Sequence, residues 1–480
     1  MNGSGQWKEF ESFVEEVMAE FKVPGLAVAF AQEGKLVYAR GFGVRDRATG
    51  EPVTPHTVFG IGSVTKSFTG LAIMQLQEEG KLSVHDPVVR HLPEFRLPAG
   101  QPHDSITIHH FLTHTSGLPP QAALGYAVRK SMEGYPKYDE EADKKVAGQT
   151  EAPPRETPPM ETYDDLLKYL GTTDYRLLGA PGECFSYSND AYALLGAVIE
   201  KASGLSYAEF LREHITGPAG MTRTTLSLAE MAAWSDVTRL YFKNKAGDIL
   251  DVPQWQDTPA LPAAGFLRSS ACDMLRYGEI YVNLGTAFGH RFLSPISVAD
   301  MIAPGYLVDR AMHYGYGLFV EPYHGVTLVE HGGALTGVAA QFGCVPEEKI
   351  VGMVLTNLAG APSNEIWLAG INQLLGLPLE TKRSVEPEYA PSPGHLERFV
   401  GTYRSGEGTK VDIVLEDGAL FAVMQGERFS MRPSGEDRLA VNLFGRERPA
   451  RFLADAAKDI YAVFFGLRIV HKVKDETAAS

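Results

Sequence analysis

Phe10, Phe13, Val14, Val17, Met18 and Phe21 recur at helical spacing near the start of the chain. They share one face of an amphipathic helix whose outer face is acidic. The period then changes. "GLAVAFAQEGKLVYARGFG" holds two apolar runs on either side of Glu33-Gly34, which predicts a β-hairpin closed by a tight turn. "KSFTGLAIMQLQEEGKL" returns to helical spacing through Phe68, Leu71, Ala72, Met74 and Leu76 and stops at Gly80. It reads as a mostly buried helix with a glycine C-cap. From about Ser83 to Gln256 the pattern is helical and irregular. Strand signals resume with "GVTLVEHGGALTGVAAQFGCVPEEKIVGMVLTN", which predicts two or three strands meeting at Pro346-Glu347-Glu348. "SNEIWLAGINQLLG" is again helical, with Ser363 as its expected N-cap.

The order is thus helix, strands, helical middle, strands, helix. It predicts an α+β fold (an α/β sandwich): an antiparallel sheet flanked by helices, with a mainly helical subdomain inserted over about residues 83–256. Residues 1–380 form this unit. "PLETKRSVEPEYAPSPGH" has four prolines and reads as a linker over 381–395. From 396 to 480 short strands follow one another, with turns at Asp417-Gly418 and Ser434-Gly435. Regular short strands predict a C-terminal all-β barrel or sandwich. Residues 121–160 carry Glu/Lys/Asp runs and the pairs Pro153-Pro154 and Pro158-Pro159. They read equally as a substrate-facing lid and as a disordered surface loop.

Composition narrows the partners. The 480 residues carry 44 Lys+Arg against 59 Asp+Glu, a formal charge of −15. Such a chain repels nucleic-acid phosphates and anionic lipid surfaces, so neither nucleic acid nor membrane is an expected partner. No stretch approaches 18 apolar residues, so no spanning helix is expected. The hydrophobic fraction of 44% is that of an ordinary globular protein. Cys184, Cys272 and Cys344 lie far apart with no C-x-x-C, which fits a reducing cytoplasm and no disulfide framework. The first residues show no basic and apolar leader pattern.

The chemistry concentrates in three places. In "FGIGSVTKSFTG", Ser63 precedes Lys66 by three residues at a helix start, so the hydroxyl and the amine share a face. A serine is a poor nucleophile unless a neighbour takes its proton. A lysine desolvated among apolar groups loses pKa and can be that neighbour. A lone S-x-x-K arises about once by chance in a chain this long and equally describes a helix-start serine beside a solvated lysine. In "GECFSYSNDAYALLGAVIE", Tyr187 and Asn189 alternate just ahead of a helix and can line one pocket; the bland alternative is a packed tyrosine and an N-cap. In "VEHGGALTG", His331, Gly332 and Gly333 lie on an apolar strand, where glycines mark a close backbone approach or a bulge.

Together, Ser63-Val-Thr-Lys66, Tyr187-Ser-Asn189 and His331-Gly-Gly333 resemble the three motifs of serine β-lactamases and penicillin-binding proteins. The class C branch and its relatives, the D-aminopeptidases, D-amino-acid amidases and class C-like esterases, are the nearer likeness. "FLTHTSGLP" is similar to a segment common in that superfamily, and the resemblance runs from about Phe10 to Leu377. It implies that Ser63 is acylated, that Lys66 and Tyr187 share the proton traffic in an order the sequence leaves open, and that Asn189 holds the acyl side chain. It implies an oxyanion hole from the backbone N–H of Ser63 and Ala334, with His331, Gly332 and Gly333 facing the substrate. The third motif departs from Lys-Thr-Gly, which weakens the grip on a β-lactam carboxylate and is similar to the peptidase and amidase relatives. The strand-rich tail resembles the lipocalin-like domain of some of those peptidases.

His110 and His114, four apart, also fit a metal pair on a helix, but no H-E-x-x-H completes it. No metal or other cofactor is expected. The reading is a serine acyl-hydrolase acting on a small-molecule or peptide substrate, most of all D-residue-containing peptides or amides, with homo-oligomers possible. A carboxylesterase, an acyl transferase or peptide cyclase with the same site, and a catalytically silent binding or scaffold protein are the alternatives.

Overall fold

The computed structural model describes residues 7–473 apart from 99, 133–159, 245, 425, 444 and 445. Most of the expected lid, including its Pro-Pro pairs, lies outside the described residues. The main sheet has eight antiparallel strands: β1 (Gly25–Gln32), β2 (Lys35–Gly43), β3 (Tyr306–Asp309), β4 (Met312–Tyr314), β5 (Phe319–Tyr323), β6 (Val326–Leu335), β7 (Val338–Val345) and β8 (Ile350–Thr356). Their spatial order is β2-β1-β8-β7-β6-β5-β4-β3. The first and last segments of the unit therefore meet within the sheet, one strand in from the β2 edge, where β1 pairs with β8 from Leu26↔Thr356 to Gln32↔Ile350.

Both faces of this sheet are covered, and the alternation of β1 shows how. Leu26, Val28 and Phe30 enter a core with helices α1 (Lys8–Phe21) and α6 (Ser363–Leu375). Ala27, Ala29 and Ala31 enter the larger core on the other face, with α2 (Thr65–Glu78), α4 (Asn189–Ser203) and α5 (Ala271–Val282). Helix α3 (Tyr163–Thr172) packs in the same helical layer. The two-residue turn of the first hairpin is Glu33-Gly34, with φ of 51° and 72°, the primed geometry that matches strand twist. After α2, Gly80 takes φ 71°, and Lys81 N donates to Leu76 O at 3.0 Å, so glycine ends the helix.

Some sequence expectations shift. Ser363 does not cap α6; it is the first helical residue, Pro362 holds the N-cap position, and no cap side chain bonds there. Strands β3 to β5, of three to five residues, are too short to show alternation and carry no sequence signal. In the C-terminal unit Ser434-Gly435 is not the turn. A register shift falls between Pro433 and Gly435, and the chain reverses two residues later.

That unit is a closed barrel of eight strands: β9 (Gly401–Arg404), β10 (Lys410–Glu416), β11 (Ala419–Met424), β12 (Glu427–Gly435), β13 (Arg438–Leu443), β14 (Arg446–Ala454), β15 (Ile460–Phe465) and β16 (Arg468–Lys472). Closure comes from Tyr403↔Lys472, pairing the first strand with the last. Closing the sheet removes its exposed edges. Tyr403, Ile413, Leu439 and Phe452 fill the interior. Ala462, Phe464 and Ile469 instead join the large core of the sheet unit. The linker is also anchored: the part-buried Arg383 guanidinium binds both oxygens of Glu330, and Asn364 Oδ1 at 2.7 Å. The barrel is therefore packed onto the sheet unit by shared apolar side chains.

Because Phe464 belongs to the core of the other unit, the two units are expected to unfold in one calorimetric transition. Phe464→Ala removes about 3–5 kcal/mol, the usual cost of a buried phenylalanine, and should resolve barrel melting from sheet melting. An unchanged single transition at the same temperature would show that the interface carries no such coupling.

Candidate active site

Ser63 lies in the short 3-10 turn Gly62–Val64 that runs directly into α2. This turn abuts β6 backbone to backbone. Gly62 has φ 53°, and a Cβ on it would stand 2.5 Å from Ala334 N. A Cβ on Gly333 would collide with Ile61 O. Only glycine at both positions lets the turn and the strand come this close. The backbones of Ser63 and Ala334 thereby flank one site.

Lys66, one helical turn on, is fully buried. Its Nζ lies 2.5 Å from Ala264 O, 2.9 Å from Asn189 Oδ1 and 3.3 Å from Ser63 Oγ. Burial holds its pKa well below the ordinary lysine value, the Arg468 charge adds to that, and Asp190 opposes it. A neutral amine has two hydrogens and one lone pair. Ala264 O and Asn189 Oδ1 take the hydrogens, so the lone pair is left facing the Ser63 hydroxyl.

Tyr187 and Asn189 reach the site from the loop ahead of α4. Ser188 supplies the N-cap, its side chain accepting from Ala191 N at 3.1 Å. Asn189 is therefore not the cap, and its amide is free to meet Lys66. Tyr187 lies with its ring 4.7 Å from Lys66 Nζ. Burial pushes its hydroxyl pKa above the ordinary value, while a hydrogen bond with Ser63 and the Arg468 charge pull the other way. The phenol therefore keeps its proton at neutral pH.

His331 on β6 lies behind the phenol, its Nε2 3.4 Å from Tyr187 Oη and 3.1 Å from Tyr314 Oη. Its Nδ1 is 2.6 Å from Gly332 O, an acceptor only, so Nδ1 carries the hydrogen and Nε2 accepts. Burial, then Lys66, hold its pKa down to about 3, so the ring is neutral. Gly332 points the other way: a Cβ there would meet Gln341 Oε1 at 3.1 Å. Strand alternation puts Gly332 beside Glu330, on the face opposite His331 and Gly333. Its missing hydroxyl is thus no part of the Ser63 surroundings.

The barrel enters this site, a contact the sequence left open. Its β15–β16 turn presents Leu467, whose carbonyl accepts from Tyr187 N at 2.9 Å, and Arg468, whose guanidinium lies 5.3 Å from the Tyr187 ring centroid. Arg468 pairs with Glu407 from the β9–β10 loop. Asp190, buried nearby, is pushed up to about 7 by burial and Glu407, with Arg468 and Lys66 opposing. Arg468, Glu407 and Asp190 were not found by sequence reasoning. A barrel turn carries no motif, and nothing local says which loop faces the other unit. The histidine pair is also resolved. His110 Nδ1 faces the Thr107 hydroxyl at 3.1 Å, and His114 Nδ1 accepts from Ser188 N at 3.0 Å. The two rings serve separate loops, and no group of three or more His, Cys, Asp or Glu among the described residues is placed to hold a metal.

The beta-lactamase family model matches residues 10–374, more than three quarters of the chain. The chain belongs to the beta-lactamase family. Members of this family are serine hydrolases. Penicillin-binding protein 4* of Bacillus subtilis is 26% identical over 94% of this chain and 95% of its own length. The octameric penicillin-binding protein homologue from Pyrococcus abyssi is 29% identical, covers 97% of this chain and 99% of that one, and superposes with a TM-score of 0.67. The D-amino acid amidase from Ochrobactrum anthropi SV3, at 21% identity, shares the fold with a TM-score of 0.58 over 77% of this chain and 98% of its own. The first two extend through the barrel, so the two-unit architecture is shared beyond the beta-lactamase unit. Among the described residues no helix is long and apolar enough to cross a membrane.

The two glycines of the third motif should respond differently. Gly333→Ala forces β6 away from Ile61 and should lower kcat/KM by at least about 10²-fold, the scale of losing one oxyanion donor. Gly332→Ala meets only a side-chain end and should stay within a few-fold of wild type. Equal losses in steady-state assays of both variants would contradict the assignment of faces.

Proposed function

We propose that the protein is a serine acyl-hydrolase that forms an acyl-enzyme on Ser63. The observation that carries this reading is the buried Lys66 amine, its hydrogens facing Asn189 Oδ1 and Ala264 O and its remaining valence facing Ser63 Oγ. Lys66 takes the Ser63 proton as Oγ attacks the substrate carbonyl. The backbone N–H groups of Ser63 and Ala334 receive the developing oxyanion. Tyr187, a neutral phenol bonded to the same serine, donates to the leaving nitrogen and recovers a proton from the Lys66 side. Asn189 orients the amine through Oδ1 and offers its Nδ2 to the acyl side chain. Water, activated by the same base, releases the acid.

The favoured substrates are D-residue-containing peptides or amides. The neutral His331 offers no cation for the carboxylate of a β-lactam or of a C-terminal D-alanine. The amidase among the fold relatives acts in the same direction of chemistry by its name. Paired D- and L-amino-acid p-nitroanilides, beside p-nitrophenyl esters, test this. The expected result is release from D-anilides that is abolished in Ser63→Ala. Turnover of esters alone makes the chain an esterase, and full activity in Ser63→Ala overturns the reading.

The electrostatics give a paired prediction on pH. Activity needs the neutral amine, so kcat/KM rises with pH through the Lys66 pKa, which lies well below 10.5. Arg468→Ala removes a cation that lowers this pKa, so the acid limb should move to higher pH. Asp190→Asn removes an anion that raises it, so the limb should move to lower pH. Shifts of the same sign in the two pH–rate profiles would place the titrating group elsewhere.

A further inference from the structure

The loop that carries Tyr187 is held from two sides. On the barrel side, Tyr187 N donates to Leu467 O, and Ile469 N lies 3.4 Å from Ser186 Oγ. On the other side stands His114, from the "FLTHTSGLP" segment. Its carbonyl accepts from Ser186 N at 3.0 Å, and its Nδ1 accepts from Ser188 N at 3.0 Å. These two bonds bracket Tyr187. To make both, His114 adopts φ 56°, a left-handed backbone uncommon outside glycine. The segments are neighbours along their length: Gly182 N donates to Thr115 O at 2.7 Å, and Leu178 N to Gly117 O at 2.8 Å.

An imidazole that accepts a backbone N–H through Nδ1 carries its hydrogen on Nε2. That Nε2–H has no hydrogen-bond partner among the described residues, although it is buried. A leucine would avoid this unpaired donor and would fit the aromatic surroundings. The ring lies 4.1 Å from the Tyr187 ring and 4.8 Å from those of Tyr192 and Tyr314. Burial first, and then the titratable Lys66 and His331 and the Arg468 guanidinium that face it, oppose its protonation. Stability alone therefore does not explain a histidine here, whereas the Ser188 bond does.

We propose that His114 is a positioning residue, an Nε2–H imidazole whose Nδ1 fixes the Ser186–Ser188 backbone and so sets where the Tyr187 hydroxyl stands relative to Ser63. The proposal rests on the role given above to Tyr187.

The test uses the full chain with His114→Leu and His114→Asn. A fluorophosphonate probe reads the rate of Ser63 labelling, a turned-over ester gives kcat and KM, and thermal melting checks folding. His114→Leu should melt near wild type, yet label at least about tenfold more slowly, because a small displacement of a catalytic group is amplified in rate. The loss should fall on kcat with KM little changed. His114→Asn should recover most of it, since Oδ1 can accept from Ser188 N and asparagine tolerates positive φ. Equal labelling of His114→Leu and wild type, or folded His114→Asn no better than folded His114→Leu, overturns the proposal. Histidine-selective 13C/15N spectra, assigned by the missing signal in His114→Asn, read the tautomer without any turnover. The Nε2–H form supports the Ser188 bond, and the Nδ1–H form overturns it. A wild type that resists the probe overturns the proposed function instead, and the tautomer then decides the His114 bond by itself.

Discussion

An amine without solvent and without a paired carboxylate organises this molecule. Lys66 is fully buried, and the contacts at its Nζ are a carbonyl, an amide oxygen and a hydroxyl. Burying an ammonium ion on such terms is costly, and burial draws the pKa of the amine well below its ordinary value. Each neighbour then acquires a function. Asn189 and Ala264 consume its hydrogens, Ser63 faces its lone pair, and Tyr187 covers it with a ring. Residues from α2, α4 and the segment ahead of β-strand Arg268–Ser269 must all be in register for this to hold. A helical layer packed against one face of the sheet in a single buried core supplies that register.

At the third motif this chain presents a neutral imidazole whose Nε2 lone pair faces two phenols, Tyr314 at 3.1 Å and Tyr187 at 3.4 Å. A second cation there would lower the Lys66 pKa further and would attract a substrate carboxylate. Arg468 of the barrel is the cation that lowers the Lys66 pKa. The barrel is thus an electrostatic part of the site as well as a wall, and the Glu407 pair moderates its charge.

Strong local periodicity made much of the fold legible. The first helix, the Glu33-Gly34 hairpin, the Gly80 stop, the β6–β8 run and the barrel strands each repeat a period over enough residues to be read. Strands β3 to β5 could not be read, since three to five residues show no period and their pairing partners are defined only by neighbours in space. Turn chemistry misled at Ser434-Gly435, where the dipeptide makes a bulge rather than a reversal. At the site, Ser63, Lys66, Tyr187, Asn189, His331 and Gly333 were legible because each belongs to a short motif. Gly332 belongs to the same motif but lies on the strand face opposite His331 and Gly333, an alternation that a motif read as a unit does not show.

By itself the chain determined the groups available for chemistry and the elements that bear them: a hydroxyl and an amine three residues apart on a helix start, a tyrosine and an asparagine two apart, and glycines on a strand. Local bonding decides such things. Tertiary structure alone decided the states of these groups. The lowered amine pKa, the retained phenol proton, the His331 tautomer and the entry of Arg468 all follow from burial and from charges and contacts far away in sequence. Desolvation and Coulomb interaction depend on distance in space, and sequence separation does not encode that distance.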